Sequence, residues 1–135
     1  MSEARNKVRR PLSPHLQVYR WGPHMLVSIL HRVTGSANAV GTVLLAWWLY
    51  AMADGKAHFD YVQGLAGSVI GQVVLFGFTL ALMQHMASGV RHLVMDTGRG
   101  LAPGPNATWA RITLVFSLVA TILIFVAAYA ASGRL

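Results

Sequence analysis

Three polar side chains that could bind a carbonyl-bearing ligand lie together near the start of a long apolar stretch. Ser28 and Arg32 are one helical turn apart and therefore share a helix face, with His31 beside them. A hydroxyl and a guanidinium on one face can donate hydrogen bonds to a carbonyl oxygen, and they favour its reduced, anionic form. A quinone headgroup, which is apolar apart from two carbonyl oxygens, fits this pair. The spacing also permits Arg32 to be an ordinary anchor whose charged end reaches the lipid phosphates.

A second polar group lies within another apolar segment, where His85 and His92 share a helix face. If Asp96 marks the membrane surface, His85 lies about 16 Å deeper, near the middle of the bilayer. An unpaired imidazole is costly there, whereas a neutral imidazole that ligates iron is stabilised. Gly89, one turn away, leaves room for a flat macrocycle, and Arg91 and His92 could meet the propionates of a haem. An interhelical hydrogen bond explains His85 alone equally well.

The spacing of the histidines limits how a haem could be held. Helical rise separates His85 and His92 by about 10.5 Å, so both cannot be axial ligands of one haem. The other histidines are expected outside the spans or, for His31, near the cytoplasmic edge. We therefore expect no second histidine of this chain opposite His85, and the other axial ligand must come from a different polypeptide. Small residues favour close helix contacts, with such a partner or within the chain: Gly35, Ser36, Ala37, Gly41 and Gly67-x-x-x-Gly71.

Long uncharged stretches must position these side chains. The chain has 135 residues, of which 55% are hydrophobic and only 11% charged, against roughly 25% charged residues in a soluble domain. Residues 33–53, 65–90 and 112–132 carry no charge, and each stretch is about long enough to cross a bilayer. We predict an all-α membrane protein with three transmembrane helices, approximately 25–53, 65–95 and 109–132, in a single membrane-anchor domain, 1–135. Buried helices of a soluble protein are the disfavoured alternative, because such long uncharged runs are rare there.

The distribution of positive charge predicts the orientation of the spans. Basic residues concentrate before the first span and around the second loop: Arg5, Lys7, Arg9, Arg10, Arg20, Arg32, Arg91, Arg99 and Arg111. The N-terminus and second loop should therefore face the cytoplasm or the mitochondrial matrix. This topology explains the net charge of +7 better than nucleic-acid binding does. The first 24 residues lack the apolar core and cleavage site of a signal peptide.

The two polar patterns together resemble one known family. Ser28-x-x-His31-Arg32-x-Thr34 and the run from His85 to Gly98 follow Arg10-Pro11-Leu12-x-x-x-Leu16 in the same order as in that family. They are similar to the cytochrome b membrane-anchor subunits of succinate dehydrogenase, the succinate:quinone oxidoreductase of respiratory complex II. The resemblance covers about residues 10–98, and the three-span layout extends it to the end. Residues 13–19 resemble the bacterial and mitochondrial branch more than the fumarate reductase anchors.

The resemblance implies roles for individual residues. They are an axial haem b ligand (His85), ubiquinone-binding residues (Ser28 and Arg32), neighbours of the haem propionates (His31 and His92), a member of a proton-delivering network (Asp96), and residues near the quinone ahead of the first span (Leu16 and Trp21).

The resemblance also implies cofactors and partners outside this chain. The three helices would form part of a heteromeric bundle in the membrane lipid, and haem b would be shared with a second small anchor subunit that supplies the other axial histidine. FAD and iron–sulfur clusters would belong to a flavoprotein subunit and an iron–sulfur subunit. This chain has no cysteine and no dinucleotide-binding glycine fingerprint, so it cannot oxidise succinate itself.

The expected function is electron transfer from succinate to ubiquinone, in the citric acid cycle and the respiratory chain. The expected location is the bacterial inner membrane, with the mitochondrial inner membrane as the alternative. Two other functions remain open. One is the anchor of a related fumarate reductase or other quinone-linked membrane oxidoreductase, and the other is a non-enzymatic membrane protein such as an assembly factor or a channel-forming subunit.

Overall fold

The computed structural model describes residues 13, 15 and 18–133, which form four helices. They are α1 (Pro23–Asp54), α2 (Lys56–Gly67), α3 (Val69–Asp96) and α4 (Pro103–Ala131). Three of them, α1, α3 and α4, are long and apolar enough to cross a membrane. The all-α fold with three apolar spans is therefore confirmed. Leu16 and the Arg10-Pro11-Leu12 pattern lie outside the described residues.

The three long helices run antiparallel to their neighbours in sequence. Between α1 and α3, the His31 ring lies against the His85 ring, and farther along α1 the Gly41 backbone lies against Phe78. Between α3 and α4, Gln84 bonds Ser117 and Gln72 bonds Tyr129. In both pairs, the contacts move toward the C-terminus of one helix as they move toward the N-terminus of the other. Antiparallel packing therefore brings the N-terminal part of α1 to the level of the C-terminal part of α3.

The segment between the first two spans differs from the prediction. The uncharged run was expected to be one span from about residue 65, but the chain breaks at Ser68, and Lys56–Gly67 forms the separate helix α2. The Ser68 hydroxyl accepts a hydrogen bond of 3.1 Å from the Gly71 N–H, which satisfies a free donor in the first turn of α3. The Gly67-x-x-x-Gly71 pair straddles this break, so its interpretation as a helix-contact motif was wrong.

Two adjacent indoles hold α2 against the end of α1. Trp47 Nε1–H donates to His58 Nε2 at 3.2 Å, and Trp48 Nε1–H donates to Gln63 Oε1 at 3.0 Å. His58 Nδ1–H in turn donates to Asp54 Oδ2 at 2.9 Å. The reversal between the helices occurs at Gly55, whose φ of 132° is readily adopted only by glycine. Asp54-Gly55, a pair that is typical of turns, therefore joins two helices.

Polar side chains are prominent where the long helices meet. Among the described residues, the buried polar or charged ones are Thr34, Gln84, Ser88, Arg91, Thr113, Ser117 and Thr121, and the buried hydrophobic ones are Val27, Ala51, Val62, Ala81 and Ala110. Large aliphatic and aromatic side chains instead cover the outside of α1, α3 and α4. Small and hydrogen-bonding residues between helices are typical of membrane bundles, because lipid already accommodates the large apolar side chains. The exposed apolar surface is therefore available to lipid and to other membrane subunits.

Candidate functional site

A cluster of three imidazoles lies between α1 and α3. The rings of His31 and His85 stack with centroids 4.0 Å apart and planes 9° from parallel, and the His92 ring meets His31 edge-on at 5.1 Å. His31, which was expected near the cytoplasmic edge and apart from His85, is therefore in direct contact with it. Since α1 begins at Pro23, His31 lies about 12 Å along its helix, close to the depth of about 16 Å inferred for His85.

The stacked arrangement does not make His31 a second axial ligand opposite His85. A macrocycle between two axial imidazoles must separate them, whereas these rings are 4.0 Å apart, a distance at which aromatic faces are in contact. Across the described residues, no group of three His, Asp or Glu side chains is arranged to hold a metal ion. His31 therefore supports the face of the His85 ring and leaves its edge available.

Hydrogen bonding orients the His85 ring. Its Nδ1–H donates to the backbone carbonyl of His31 at 3.1 Å, with Thr34 Oγ1 also 3.5 Å away. A proton fixed on Nδ1 leaves the lone pair of a neutral imidazole on Nε2, the atom that a metal would take. Within the described chain, Nε2 makes no hydrogen bond. The donor set thus fits one axial ligand of a haem.

One glycine makes room for this ring. A Cβ atom added at Gly35 would lie 3.1 Å from His85 Cε1, closer than side chains normally approach. A Cβ at Gly89 would lie 3.8 Å from His31 Cε1, which is ordinary contact. Gly89 was singled out in the sequence for space at this site, but Gly35 on the facing helix is the glycine at which an added Cβ would crowd the His85 ring.

Ser88 is a member of the cluster that sequence reasoning missed. Its side chain is fully buried, and its Oγ lies 2.7 Å from His31 Nδ1. The only signal in the sequence was a small polar residue about one turn after His85. That signal is ambiguous, because a serine in a span also bonds its own helix, as Ser88 does with the Gln84 carbonyl.

The predicted quinone residues lie on the first turns of α1. Ser28 is half-buried and Arg32 is exposed, and neither side chain forms a hydrogen bond to another described residue. Trp21, just before α1, is 67% exposed. Asp96 is exposed at the end of α3, one turn beyond His92, and its carboxylate makes no ion pair with the described part of the chain. These side chains are available to ligands or partners and are separate from the stacked rings.

Arg91 was expected near the haem propionates, but its side chain points toward α4. It is 5% exposed and donates through Nη2 to Asn106 Oδ1 on α4. Its Nε and Nη1 atoms are buried and make no hydrogen bond to the described residues. Six helical steps separate Arg91 from His85, and at about 100° per residue this turns the two side chains toward different neighbours. In this packing Arg91 faces α4, and its contact with haem propionates stays a prediction.

Comparison with known proteins gives one consistent family. The succinate dehydrogenase/fumarate reductase transmembrane subunit family matches residues 6–124. The succinate dehydrogenase cytochrome b556 subunit of Paracoccus denitrificans is 43% identical over 96 residues, covering 71% of this chain and 74% of the relative. The b556 subunit of Rickettsia felis is 34% identical over 118 residues, covering 87% and 92%.

A mitochondrial relative extends the match beyond bacteria. The succinate dehydrogenase cytochrome b560 subunit of Sus scrofa is 33% identical over 115 residues, which cover 84% of this chain and 68% of the relative. The matched region contains both polar patterns and most of the third span. The chain belongs to the succinate dehydrogenase/fumarate reductase transmembrane subunit family.

Proposed function

We propose that this chain is the cytochrome b anchor of a succinate:ubiquinone oxidoreductase, and that residues 1–135 form a single membrane-anchor domain with a cytoplasmic N-terminus. It docks the catalytic subunits to the membrane and contributes to haem b ligation and to the site of ubiquinone reduction. The family match and the relatives named as cytochrome b subunits support this function. The observation that carries the ligand assignment is the oriented His85 ring in the helix interface.

His85 is the proposed axial ligand of haem b. Its hydrogen bond to the His31 carbonyl fixes the ring and its tautomer, as partners of metal-binding histidines commonly do. Gly35 and the His31 face limit where the ring can move, while His31 and His92 form the polar surroundings proposed for the propionates. A haem held here supplies a one-electron redox centre beside the quinone site. A second anchor subunit supplies the other axial histidine.

Ser28 and Arg32 are the proposed ubiquinone-binding pair. Reduction adds two electrons and two protons to the quinone, so negative charge develops on its carbonyl oxygens before protonation. The Arg32 guanidinium is always charged and donates several hydrogen bonds, and the Ser28 hydroxyl one turn away can donate another. Both favour the anionic oxygen over the neutral carbonyl. Asp96, exposed beyond His92, is the proposed member of the proton-delivering network.

The remaining chemistry belongs to partner subunits. A flavoprotein subunit with FAD oxidises succinate, and an iron–sulfur subunit carries the electrons to the cytoplasmic face of the membrane. The names of the relatives as succinate dehydrogenase subunits support such an assembly. The bacterial relatives and three apolar helices support a location in the bacterial inner membrane, and the mitochondrial inner membrane is the alternative. The family also includes fumarate reductase subunits, but the names of the relatives favour succinate oxidation.

An absorption spectrum of the purified complex tests the ligand assignment. His85→Ala should remove or strongly alter the b-type haem bands of the gently solubilised, subunit-verified complex. His58→Ala is a matched control because it removes an imidazole from α2, at the opposite end of α1 from His31, and it should leave the bands unchanged. An intact spectrum and midpoint potential in His85→Ala would rule out this ligand, and a complex that is colourless even with the native chain would rule out the cytochrome function.

A further inference from the structure

The Ser88 hydroxyl links α3 to the His31 ring of α1. It is fully buried, and its Oγ lies 2.7 Å from His31 Nδ1, 2.7 Å from the Gln84 carbonyl oxygen and 3.1 Å from the His85 carbonyl oxygen. A serine hydroxyl has one proton to donate. When His31 carries its proton on Nδ1, the hydroxyl accepts from Nδ1–H and donates to a carbonyl of its own helix; when the proton is on Nε2, the hydroxyl donates to Nδ1. In both tautomers Ser88 Oγ holds the His31 ring at Nδ1.

This hydrogen bond determines how His31 supports His85. Because its Nδ1 is bonded to Ser88, the His31 ring is held flat against the His85 ring, 9° from parallel. The backbone carbonyl of the same residue accepts the Nδ1–H of His85 at 3.1 Å. The two helices therefore hold each other through one residue: α3 fixes the His31 ring through Ser88, and α1 fixes the His85 ring through the His31 carbonyl.

We propose that Ser88 is a positioning residue for His85 and acts through the His31 ring. The inference rests on the proposed function, since it concerns the imidazole assigned there to the haem iron. Removing the hydroxyl leaves the His31 Nδ1 without its partner, and a ring in that state rotates to find another. The His85 ring then loses the face that limits its rotation while keeping its own hydrogen bond to the His31 carbonyl. Ser88 thus affects the orientation of the ligand and does not touch the iron.

Ser117→Ala provides a matched control for Ser88→Ala. Both substitutions remove one buried hydroxyl from the long helices. Ser117 donates to Gln84 Oε1 between α3 and α4, and no hydrogen bond joins it to a histidine of the described chain. The complex carrying each variant should be purified and compared by electron paramagnetic resonance of the oxidised haem, by its midpoint potential and by haem retention during dilution. The resonance responds to the orientation of axial imidazole planes, so a general loss of packing does not reproduce its shift.

In the Ser88→Ala complex we expect a shifted haem resonance and potential, with haem retention weakened by about tenfold, the lower end of the effect of losing a partner of a metal-binding histidine. Ser117→Ala should match the native complex in both signals. Ser88→Thr, which keeps the hydroxyl, should restore the native resonance. In a His31→Ala background, adding Ser88→Ala should produce no further shift, because the residue through which Ser88 acts is already absent.

The outcomes separate this inference from the proposed function. If His85→Ala removes the haem bands but Ser88→Ala retains the native resonance and potential, the positioning role is overturned and the ligand assignment stands. Equal shifts in Ser88→Ala and Ser117→Ala, or an undiminished effect of Ser88→Ala without the His31 ring, overturn it in the same way. If His85→Ala leaves the haem bands unchanged, both proposals fail together.

Discussion

His31 and His85 are in face-to-face contact although 54 residues separate them along the chain. Their rings stack at 4.0 Å, and the backbone of one residue accepts the ring proton of the other. The contact exists because α1 and α3 run antiparallel and both histidines lie at similar depth. A residue that looked like part of a surface cluster in the sequence is thus the immediate support of the deepest imidazole.

A larger side chain at Gly35 should disturb the stacked rings of His31 and His85 directly, in addition to any general loss of helix packing. In Gly35→Val, a branched side chain would occupy space that the His85 ring fills, since even a single Cβ would lie 3.1 Å from it. Overpacking of this kind costs about 1–3 kcal/mol. We expect loss of most bound haem in the purified complex, measured as haem per polypeptide.

Gly77→Val is the control for the Gly35 experiment. It places the same side chain on α3, where a Cβ meets nothing within 4 Å, and it should retain a native haem content. Equal haem loss in the two variants would mean that valine damages these helices irrespective of position. A native haem content in Gly35→Val would contradict the tight contact between Gly35 and the His85 ring.

The sequence was sufficient for the overall all-α architecture with its three apolar spans. Uncharged runs of bilayer length predict three spans, because a charged residue inside lipid is costly and the absence of such residues can be read directly from the sequence. The Ser68 break was missed since neither a serine nor the glycines around it interrupt an uncharged run. Helix α2 was missed for a related reason: Asp54-Gly55 indicates a turn but says nothing about the structure that follows it.

The periodicity of the sequence could not predict the contacts between helices. The 3.6-residue repeat places side chains on faces of one helix, but it does not say which face meets which neighbour or at what level. The stacking of His31 on His85, and the direction of Arg91 toward α4, depend on that register. The roles of Gly35 and Ser88 follow from the same register, so both became apparent only with the packed helices.

Arg32→Leu should separate the two half-reactions of the complex. A hydrogen bond from a charged donor contributes about 1.5–3 kcal/mol, so we expect kcat/KM for ubiquinone to fall by roughly 10- to 100-fold. Succinate oxidation by a soluble artificial acceptor, which bypasses the membrane subunit, should remain at the native rate. Both activities are measured on the same purified complex.

Arg99→Leu is the charge-matched control for Arg32→Leu, because it removes an exposed guanidinium after α3. It should preserve both activities. Parallel loss of both activities in Arg32→Leu would indicate failed assembly, and native quinone turnover would exclude Arg32 from the quinone site.

The Arg91–Asn106 hydrogen bond predicts an asymmetric effect on stability. Asn106→Ala leaves the buried Arg91 guanidinium without its partner on α4, and an unsatisfied buried group costs about 1–3 kcal/mol. The double substitution Arg91→Met with Asn106→Leu removes both polar partners and should be less destabilising. Thermal denaturation of the purified complex, followed by loss of soluble protein, provides the comparison.

Thr108→Ala, an exposed change on α4 whose hydroxyl bonds only its own helix, serves as the control for that series. It should leave the midpoint temperature essentially native. A midpoint in Asn106→Ala as high as in Thr108→Ala would mean that Arg91 finds a replacement acceptor. A double variant less stable than Asn106→Ala would show that the guanidinium stabilises the helices without its partner.

The absence of cysteine from the chain permits a direct test of the proposed orientation. Single cysteines in place of Ala57 on α2, Leu101 between α3 and α4, and Ser132 after α4 all replace exposed residues. With a cytoplasmic N-terminus, a membrane-impermeant maleimide should label Ala57→Cys and Ser132→Cys in intact spheroplasts, because these positions follow one and three spans respectively. Leu101→Cys should be labelled only when the membrane is opened or the complex is unfolded in detergent. Unfolding also controls for shielding of this position by a docked subunit.

Labelling of Leu101→Cys from outside, with protection of the other two positions, would show that the orientation is opposite to the one proposed. It would also put Ser28 and Arg32 on the side of the membrane away from the proposed electron donor, and the quinone-site assignment would fail with it.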